Sequence, residues 1–329
     1  RFKRAGYTLT KPLIDVTASK KIIDYVIDIF DPKNDSFIFI TSPATFDDVS
    51  SYINSKNMNA QCLLYNGDSL GPVGAIVGVR KELTELINKD EDVIVSYCDY
   101  GMTWDYSEFL EYIKNEKPDG VIPCYSGYHP HLEHPENVYA ACKVTGDKIY
   151  SVREKYQSND RNNELWSAGL YYFKDMNIMF GSFDRMMSAK DLLGGEYYVS
   201  LAFNYLQDFD IRSYNKIDKF YQLGTPRDFE FAKKHLQMLD LENVSSEIDN
   251  VVILSAGKGE RFLNLGFNQP KPFLPLKDTD ILTEIIKSFK NVKTKITCVA
   301  SEAHKIFWDQ ITNQNIKYVR ENKIGAAYS

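Results

Sequence analysis

Residues 250–276 read NVVILSAGKGERFLNLGFNQPKPFLPL, and this stretch carries the strongest structural signal in the chain. The apolar run at 251–254 predicts a short buried strand. A glycine-rich turn follows, with Gly257 and Gly259, and such a turn offers backbone N–H groups to phosphate oxygens. Arg261 and Lys271 come soon after it and add positive charge. We therefore expect these four residues to bind a nucleotide, a plain tight loop being the alternative, since short glycine motifs often match by chance.

Part of this pattern occurs a second time. Residues 1–16 read RFKRAGYTLTKPLIDV and residues 261–276 read RFLNLGFNQPKPFLPL, with Arg, Phe, Gly, Lys and Pro shared at equivalent positions. A weaker similarity relates SLGPVGA at 69–75 to KIGAAYS at 323–329. Self-similarity at a fixed offset indicates repeated structural units. The sequence predicts two tandem copies of one domain, both truncated, the first without the strand and turn.

We accordingly expect three segments along the chain. The first copy takes residues 1–242 and the beginning of the second takes 250–329. Between them the acidic, polar residues 243–249 indicate a linker. Compact β-rich runs alternate with helical patterns, one of them at 75–88, over the first 120 residues. Strands are denser at 119–173, and a further helical pattern covers 196–207. This order predicts an α/β fold with a mostly parallel sheet, helices on both faces and a β-rich insertion.

The composition excludes several classes of protein. Lys and Arg total 39 against 45 Asp and Glu, a net charge of −6, whereas nucleic-acid binders usually show a basic excess. The sequence has no apolar run of the roughly 18 residues that a membrane span requires. The five cysteines are scattered without CxxC spacing, which favours a reducing compartment and therefore the cytoplasm.

The order G-x-G-x-R-F, at 257–262, and then K-P-F-L, at 271–274, resembles that of the sugar-phosphate nucleotidyltransferases, the NDP-sugar pyrophosphorylases. Residues 1–239 resemble a domain of this family without its first strand, and 250–329 resemble its first third. The resemblance implies a Rossmann-like, GT-A-like sheet with a substrate-binding insertion. It also implies an enzyme that joins an NTP to a sugar 1-phosphate and releases pyrophosphate, for surface polysaccharide synthesis.

Residues of the first copy match the family's motifs for nucleotide and metal. Asp99, after the β-rich run at 93–98, matches an aspartate that holds a metal, and the implied cofactor is Mg²⁺, which takes few protein ligands and several phosphate oxygens. A turn or helix cap is the alternative for this aspartate. Gly71 and Gly74 match a loop that reads the nucleobase, against a plain helix-entry loop. Arg1 and Lys11 would bind the β- and γ-phosphates.

Other matches concern the phosphorylated small molecule that accepts the nucleotide. Glu154 and Lys155 match a pair in which the lysine contacts the sugar phosphate and the carboxylate a sugar hydroxyl, although such pairs are common in any chain. Gly169 matches a stretch of small residues beside the sugar, and close strand packing is its alternative. Gln222 departs from the family, which often carries a second metal aspartate there. Asp218 or Asp228 could replace that carboxylate, or one carboxylate could suffice.

Three histidines and a glutamate occur in HPHLEH at 129–134. These residue types can ligate zinc, but Pro130, Pro135 and the lack of helical spacing favour a loop that faces solvent or substrate. Alternatives also stay open for the whole chain. A cytidylyltransferase for a non-sugar phosphate, such as a phosphocholine-like head group, would show the same motifs. A non-catalytic nucleotide-sugar-binding regulatory domain is favoured by Gln222. An oligomer is compatible with each of them.

Overall fold

The computed structural model describes residues 1–68, 70–133, 139–244, 250–257, 259–276, 279–287, 289, 295–309 and 315–319. The chain divides into two compact units, residues 1–234 and 235–329. In the part of the chain that the structure describes, no helix combines the length and the apolar character that crossing a membrane requires.

The first unit alternates strands and helices. Its strands are β1 (Phe37–Thr41), β2 (Ala60–Leu64), β3 (Val93–Ser96), β4 (Tyr100–Trp104), β5 (Gly120–Tyr125), β6 (Ala141–Thr145), β7 (Lys148–Arg153), β8 (Leu165–Ser167), β9 (Leu170–Phe173), β10 (Ile211–Tyr214) and β11 (Ile217–Gln222). The helices are α1 (Ile22–Ile27), α2 (Phe46–Asn54), α3 (Gly71–Gly78), α4 (Arg80–Leu86), α5 (Tyr106–Glu116), α6 (Met176–Ser188), α7 (Val199–Ala202) and α8 (Pro226–Val244).

The largest sheet has the strand order β10-β7-β6-β8-β5-β9-β3. Its β5 and β10 pair in parallel, and its other pairings are antiparallel. The sheet is therefore mixed, and less parallel than the sequence predicts, because the strands of the dense segment at 119–173 pair with one another in antiparallel orientation. The α/β class and the strand-rich insertion are confirmed.

Parallel pairing of β1 with β2 follows from the helix between them. Residues Phe37 to Thr41 pair with Ala60 to Leu64, and α2 supplies the crossover that a parallel pair needs. Alternate residues of β1 point to opposite faces. Phe37 and Phe39 pack with Val49 and Ile53 of α2, while Ile38 and Ile40 pack against the cluster that includes α3 and α6. Both faces of this pair are covered, as the sequence predicts.

Three helical segments differ from the prediction. The pattern at 75–88 gives two helices, α3 and α4, because the chain leaves helical geometry at Val79. The helical pattern at 196–207 gives only α7 and a short 3₁₀ turn. Helix α8 continues to Val244, so the beginning of the expected linker is helical. The rest of that linker, 245–249, lies outside the described residues.

The second unit contains a small parallel sheet. Its elements are β12 (Asn250–Ser255), α9 (Glu260–Leu263), β13 (Pro275–Leu276), β14 (Thr279–Asp280), α10 (Ile281–Lys287), β15 (Lys295–Ser301), α11 (Lys305–Trp308) and β16 (Asn315–Val319). Strand β15 lies between β12 and β16 and pairs in parallel with both. The strand predicted at 251–254 is therefore confirmed, as part of β12, but the prediction that it is buried is wrong, because Val252 and Leu254 are both 59% exposed.

The repeated sequence segments fold alike locally. Gly6 and Gly266 end their first turns with φ of 93° and 88°. The backbone N–H of Tyr7 bonds the Phe2 carbonyl at 3.2 Å, and Phe267 repeats this bond to Phe262 at 3.1 Å. Both Lys-Pro pairs begin 3₁₀ turns. Tandem copies of a whole domain stay a prediction, and residues 323–329 of the weaker repeat lie outside the described residues.

Candidate active site

The first unit encloses a cavity of about 790 Å³, within the range of small-molecule sites. Its lining comes from strands β4, β8, β9 and β11, from the connection between β3 and β4, and from the N-terminal segment. The cavity lining includes these residues singled out from the sequence: Arg1, Lys11, Asp99, Glu154, Lys155, Gly169 and Gln222. Residues from positions 1 to 222 thus meet in one place.

One wall of the cavity holds an ion pair. Asp99 lies in the short connection between β3 and β4, and its backbone carbonyl accepts a hydrogen bond from Leu223 N at 3.0 Å. Lys11 Nζ donates to Asp99 Oδ2 at 2.5 Å. The same ammonium lies 5.6 Å from the centroid of the Phe2 ring. We call Arg1, Lys11, Asp99 and Gln222 the phosphate cluster, after the role that the sequence predicts for Arg1 and Lys11.

A small gap separates two oxygen atoms of this cluster. A Cβ built on Gly224 would lie 2.9 Å from Asp99 Oδ2 and 3.3 Å from Gln222 Oε1. Gln222 Oε1 accepts hydrogen bonds from the backbone N–H groups of Leu223, at 3.1 Å, and Gly224, at 3.3 Å. These hydrogen bonds fix the position of the Gln222 amide oxygen. A side chain at position 224 would fill the gap between this oxygen and Asp99.

The aspartates considered as substitutes for a second carboxylate lie elsewhere. Asp218 is exposed on β11. Asp228 accepts hydrogen bonds from Thr225 Oγ1 at 2.7 Å and from Tyr139 Oη at 3.0 Å. The Tyr139 hydroxyl also hydrogen-bonds the Gln222 amide. Neither aspartate lines the cavity, so Asp228 holds Tyr139 and Gln222 in place and does not face a ligand.

Four further cavity residues, Glu154, Lys155, Glu196 and Tyr198, together with Ser200 behind them, are called the acceptor cluster after the role predicted for Glu154 and Lys155. Ser200 Oγ donates to Glu154 at 2.5 Å, and burial raises the pKa of Glu154. Lys155 Nζ lies 4.9 Å from the centroid of the Tyr198 ring, and a hydrogen bond with the Tyr198 hydroxyl raises the pKa of this lysine. Tyr198 Oη also donates to Glu196.

Lys155 of the acceptor cluster and Gly169 at the cavity wall both have a positive φ. Lys155 adopts a left-handed φ of 51°, which is uncommon for a residue with a side chain and often marks a functional position. Gly169 has a φ of 82°, and a Cβ there would lie 3.0 Å from the Tyr97 ring. Glycine is therefore favoured at position 169 for two reasons, the positive φ and the close contact with Tyr97 at the cavity wall.

Gly71 and Gly74 are placed differently from the other predicted residues. A Cβ on Gly71, whose φ is 80°, would lie 2.8 Å from the Glu196 Cβ. Gly74 is buried in α3, and its Cβ would lie 2.6 Å from the Leu70 Cβ. Of this loop, Pro72 lines the cavity. Ser69 lies outside the described residues, and the nucleobase role of the loop stays a prediction.

The second unit holds the other four predicted nucleotide-binding residues. Gly259, with a φ of 68°, directly precedes α9, and Arg261 lies in that helix. Lys271 Nζ lies 5.8 Å from the Phe262 ring. A Cβ on Gly257 would meet nothing within 4 Å. None of the four lines the cavity of the first unit, and Lys258 between the two glycines lies outside the described residues.

The prediction that the segment at 129–134 faces solvent or substrate is wrong for His131, which is buried, whereas His129 is only partly buried. His131 Nε2 hydrogen-bonds Tyr125 Oη at 2.9 Å, and burial lowers the pKa of His131 to about 3. His129 Nε2 hydrogen-bonds the Ser126 carbonyl at 3.3 Å. His134 and the side chain of Glu133 lie outside the described residues. Across the residues that are described, no three His, Cys, Asp or Glu side chains form a metal-binding group.

Sequence inspection did not single out Glu196, Tyr198 or Tyr139. The pair Gly194-Gly195 was the available signal for Glu196, because both glycines adopt positive φ and close a tight turn just before it. Tyr139 reaches the site only through its tertiary contact with Gln222.

Comparison with known proteins shows which fold this chain has. No family model matches the chain, and no curated protein matches it. Among solved structures, the nucleoside-diphosphate-sugar pyrophosphorylase from Vibrio cholerae RC9 is similar over 71% of this chain and 95% of its own, with a TM-score of 0.58 and 16% identity. The fold is that of the NDP-sugar pyrophosphorylases.

Two further solved structures share the pyrophosphorylase fold. A UDP-glucose pyrophosphorylase complexed with UDP-glucose covers 70% of this chain and 91% of its own, with a TM-score of 0.55 and 15% identity. An inositol-1-phosphate CTP transferase from T. maritima covers 70% and 89%, with a TM-score of 0.50 and 11% identity. The fold predicted from the resemblance is therefore confirmed.

Proposed function

We propose that the chain is a nucleotidyltransferase that joins an NTP to a phosphorylated small molecule and releases pyrophosphate. The observation that carries this proposal is the convergence, in one cavity, of Lys11 and Asp99 with the Glu154-Lys155 pair. Two anionic substrates must meet in such a reaction, so the site needs positive charge and positioning more than covalent help.

Each cluster has a distinct task in this reaction. Arg1 and Lys11 bind the β- and γ-phosphates and stabilise the pyrophosphate that leaves. Lys155 binds the phosphate of the acceptor and aligns its oxygen for attack on the α-phosphate. That oxygen already carries negative charge, so the attack needs no general base. Glu154 accepts a hydrogen bond from the body of the acceptor.

The phosphate cluster also suits Mg²⁺. Asp99 Oδ2 lies beside the gap at Gly224, and carboxylate oxygens are ligands for hard cations. Gln222 Oε1 accepts two backbone hydrogen bonds, so this amide would border the cation site without ligating the ion. The Lys11 ammonium already forms an ion pair with the Asp99 carboxylate. When bound, Mg²⁺ would neutralise negative charge on the phosphates. This role does not require a charged side chain at position 222.

The resemblance and the shared fold support further parts of the proposal. We place the reaction in the cytoplasm and in surface polysaccharide synthesis. A polyol phosphate is a second candidate for the acceptor, because the inositol-1-phosphate CTP transferase has the same fold. A non-catalytic nucleotide-binding domain is the competing hypothesis, which the loss of a carboxylate at Gln222 favours.

Pyrophosphate release with a panel of NTPs and acceptor phosphates tests the proposal. We expect Mg²⁺-dependent release, and Asp99→Asn should lower it at least 100-fold, about 2.7 kcal/mol in barrier height. Asp90→Asn removes the same charge from an exposed position and serves as the control. Activity of the Asp99 variant within threefold of wild type would contradict the role of this carboxylate, and NTP binding without release would support the non-catalytic hypothesis.

A further inference from the structure

The acceptor cluster carries more negative than positive charge. Glu154 and Glu196 both line the cavity there, with Lys155 as the nearby cation. The remaining cations of the cavity lining, Arg1, Lys3 and Lys11, belong to the N-terminal segment, where Lys11 pairs with Asp99. If Lys155 binds the acceptor phosphate, two carboxylates remain for the rest of that molecule.

Building on the proposed nucleotidyl transfer, we propose that the acceptor is a phosphate whose carbon skeleton carries hydroxyl or primary ammonium groups and no carboxylate. Glu196 is the residue that we assign to this selection. Carboxylates accept hydrogen bonds and donate none, so they match O–H and N–H groups. An acceptor carboxylate would meet like charge in a partly enclosed site, and like-charge contacts are an effective means of rejecting wrong partners.

Glu196 is held firmly enough to select. Its Cβ would collide with any Cβ on Gly71, so the two backbones are in close contact. The backbone N–H of Glu196 bonds the Leu193 carbonyl at 3.3 Å, which closes the turn through Gly194 and Gly195. On the other side, Tyr198 Oη donates to its carboxylate. A side chain fixed at both ends cannot swing away to admit an acidic acceptor.

The same contacts disfavour a phosphocholine-like acceptor. A quaternary ammonium needs an open aromatic face, and it has no N–H to donate to Glu154 or Glu196. The face of Tyr198 is occupied by Lys155 Nζ at 4.9 Å. Hydroxyl and primary ammonium groups remain the better match for this cluster.

The test compares four acceptors: glucose 1-phosphate, glucosamine 1-phosphate, glucuronic acid 1-phosphate and phosphocholine. With each NTP, pyrophosphate release gives kcat/KM for the wild type, Glu196→Gln and the control Asp90→Asn. We expect the wild type to favour the neutral or amino sugar at least 100-fold over the acidic one. Glu196→Gln, which keeps the shape and removes the charge, should reduce this preference at least tenfold, and the control should retain it.

Each outcome decides a separate point. Equal or better turnover of glucuronic acid 1-phosphate or phosphocholine by the wild type would overturn this inference and leave nucleotidyl transfer standing. An unchanged preference in Glu196→Gln would overturn the assignment to Glu196. Release with none of the four acceptors would overturn the inference, and calorimetry with NTP alone would then show whether nucleotide binding, and with it part of the proposed function, survives.

Discussion

Replacing Gly224 with alanine tests the phosphate cluster with a single added methyl group. The new Cβ would lie 2.9 Å from Asp99 Oδ2, where ordinary contact begins at 3.4 Å, so the carboxylate must move by about 0.5 Å. The methyl also fills the gap beside Asp99 in which a cation would lie. Because a misplacement of about 1 Å can cost about 100-fold in rate, we expect this half-ångström shift to lower pyrophosphate release about tenfold, or about 1.4 kcal/mol.

The fold should tolerate this change. Gly224 is outside the set of glycines with positive φ, so alanine brings no backbone strain, and we expect the free energy of unfolding to change by less than about 1 kcal/mol. Gly181→Ala is the matched control, because a Cβ at that position in α6 meets nothing within 4 Å. Wild-type turnover and wild-type Mn²⁺ affinity in Gly224→Ala would refute the placement of the cation site.

Three other variants address separate parts of the site. Lys155→Ala should raise the KM of the acceptor at least tenfold and leave NTP affinity, measured by calorimetry with NTP alone, within twofold; a tenfold loss of NTP affinity would contradict the assignment. Gln222→Asp should raise Mn²⁺ affinity without nucleotide at least tenfold by electron paramagnetic resonance, because it adds a second carboxylate beside Asp99; unchanged affinity would remove Gln222 from the cation site. Burial lowers the pKa of His131 to about 3, so below pH 6.5 the unfolded chain binds a proton that the folded chain excludes, and stability falls as the pH drops, by up to about 1.4 kcal/mol per pH unit. His131→Phe should flatten this dependence in urea unfolding at pH 7 and pH 4.5, and an unchanged slope would argue against a neutral buried His131.

Features that depend on residues close together in the chain could be predicted from the sequence. Strand β12 could be predicted because four consecutive apolar residues precede a glycine-rich turn, and the Lys-Pro turns at Lys11 and Lys271 could be located because proline fixes its own φ. Asp99 could be chosen because it follows a β-rich run and matches a family motif. These signals depend on neighbours in the chain, which sequence patterns record directly.

The parts that sequence inspection missed depend on distant contacts. The gap at Gly224 exists only because Asp99, in the connection between β3 and β4, packs beside the end of β11. Gly71 looks like a glycine of a ligand loop, but its missing side chain makes room for Glu196. The mixed character of the main sheet arises from pairings among β5 to β9 that a pattern of alternating elements does not specify.

The close contact between Gly71 and Glu196 has a consequence for the evolution and redesign of specificity. If the loop at 66–75 reads the base and Glu196 reads the acceptor, the two choices share one backbone interface with no spare volume. A substitution that widens the base pocket by shifting Gly71 also displaces Glu196. Base and acceptor preferences should therefore change together in a lineage, and directed evolution for a new base would have to select both loops at once.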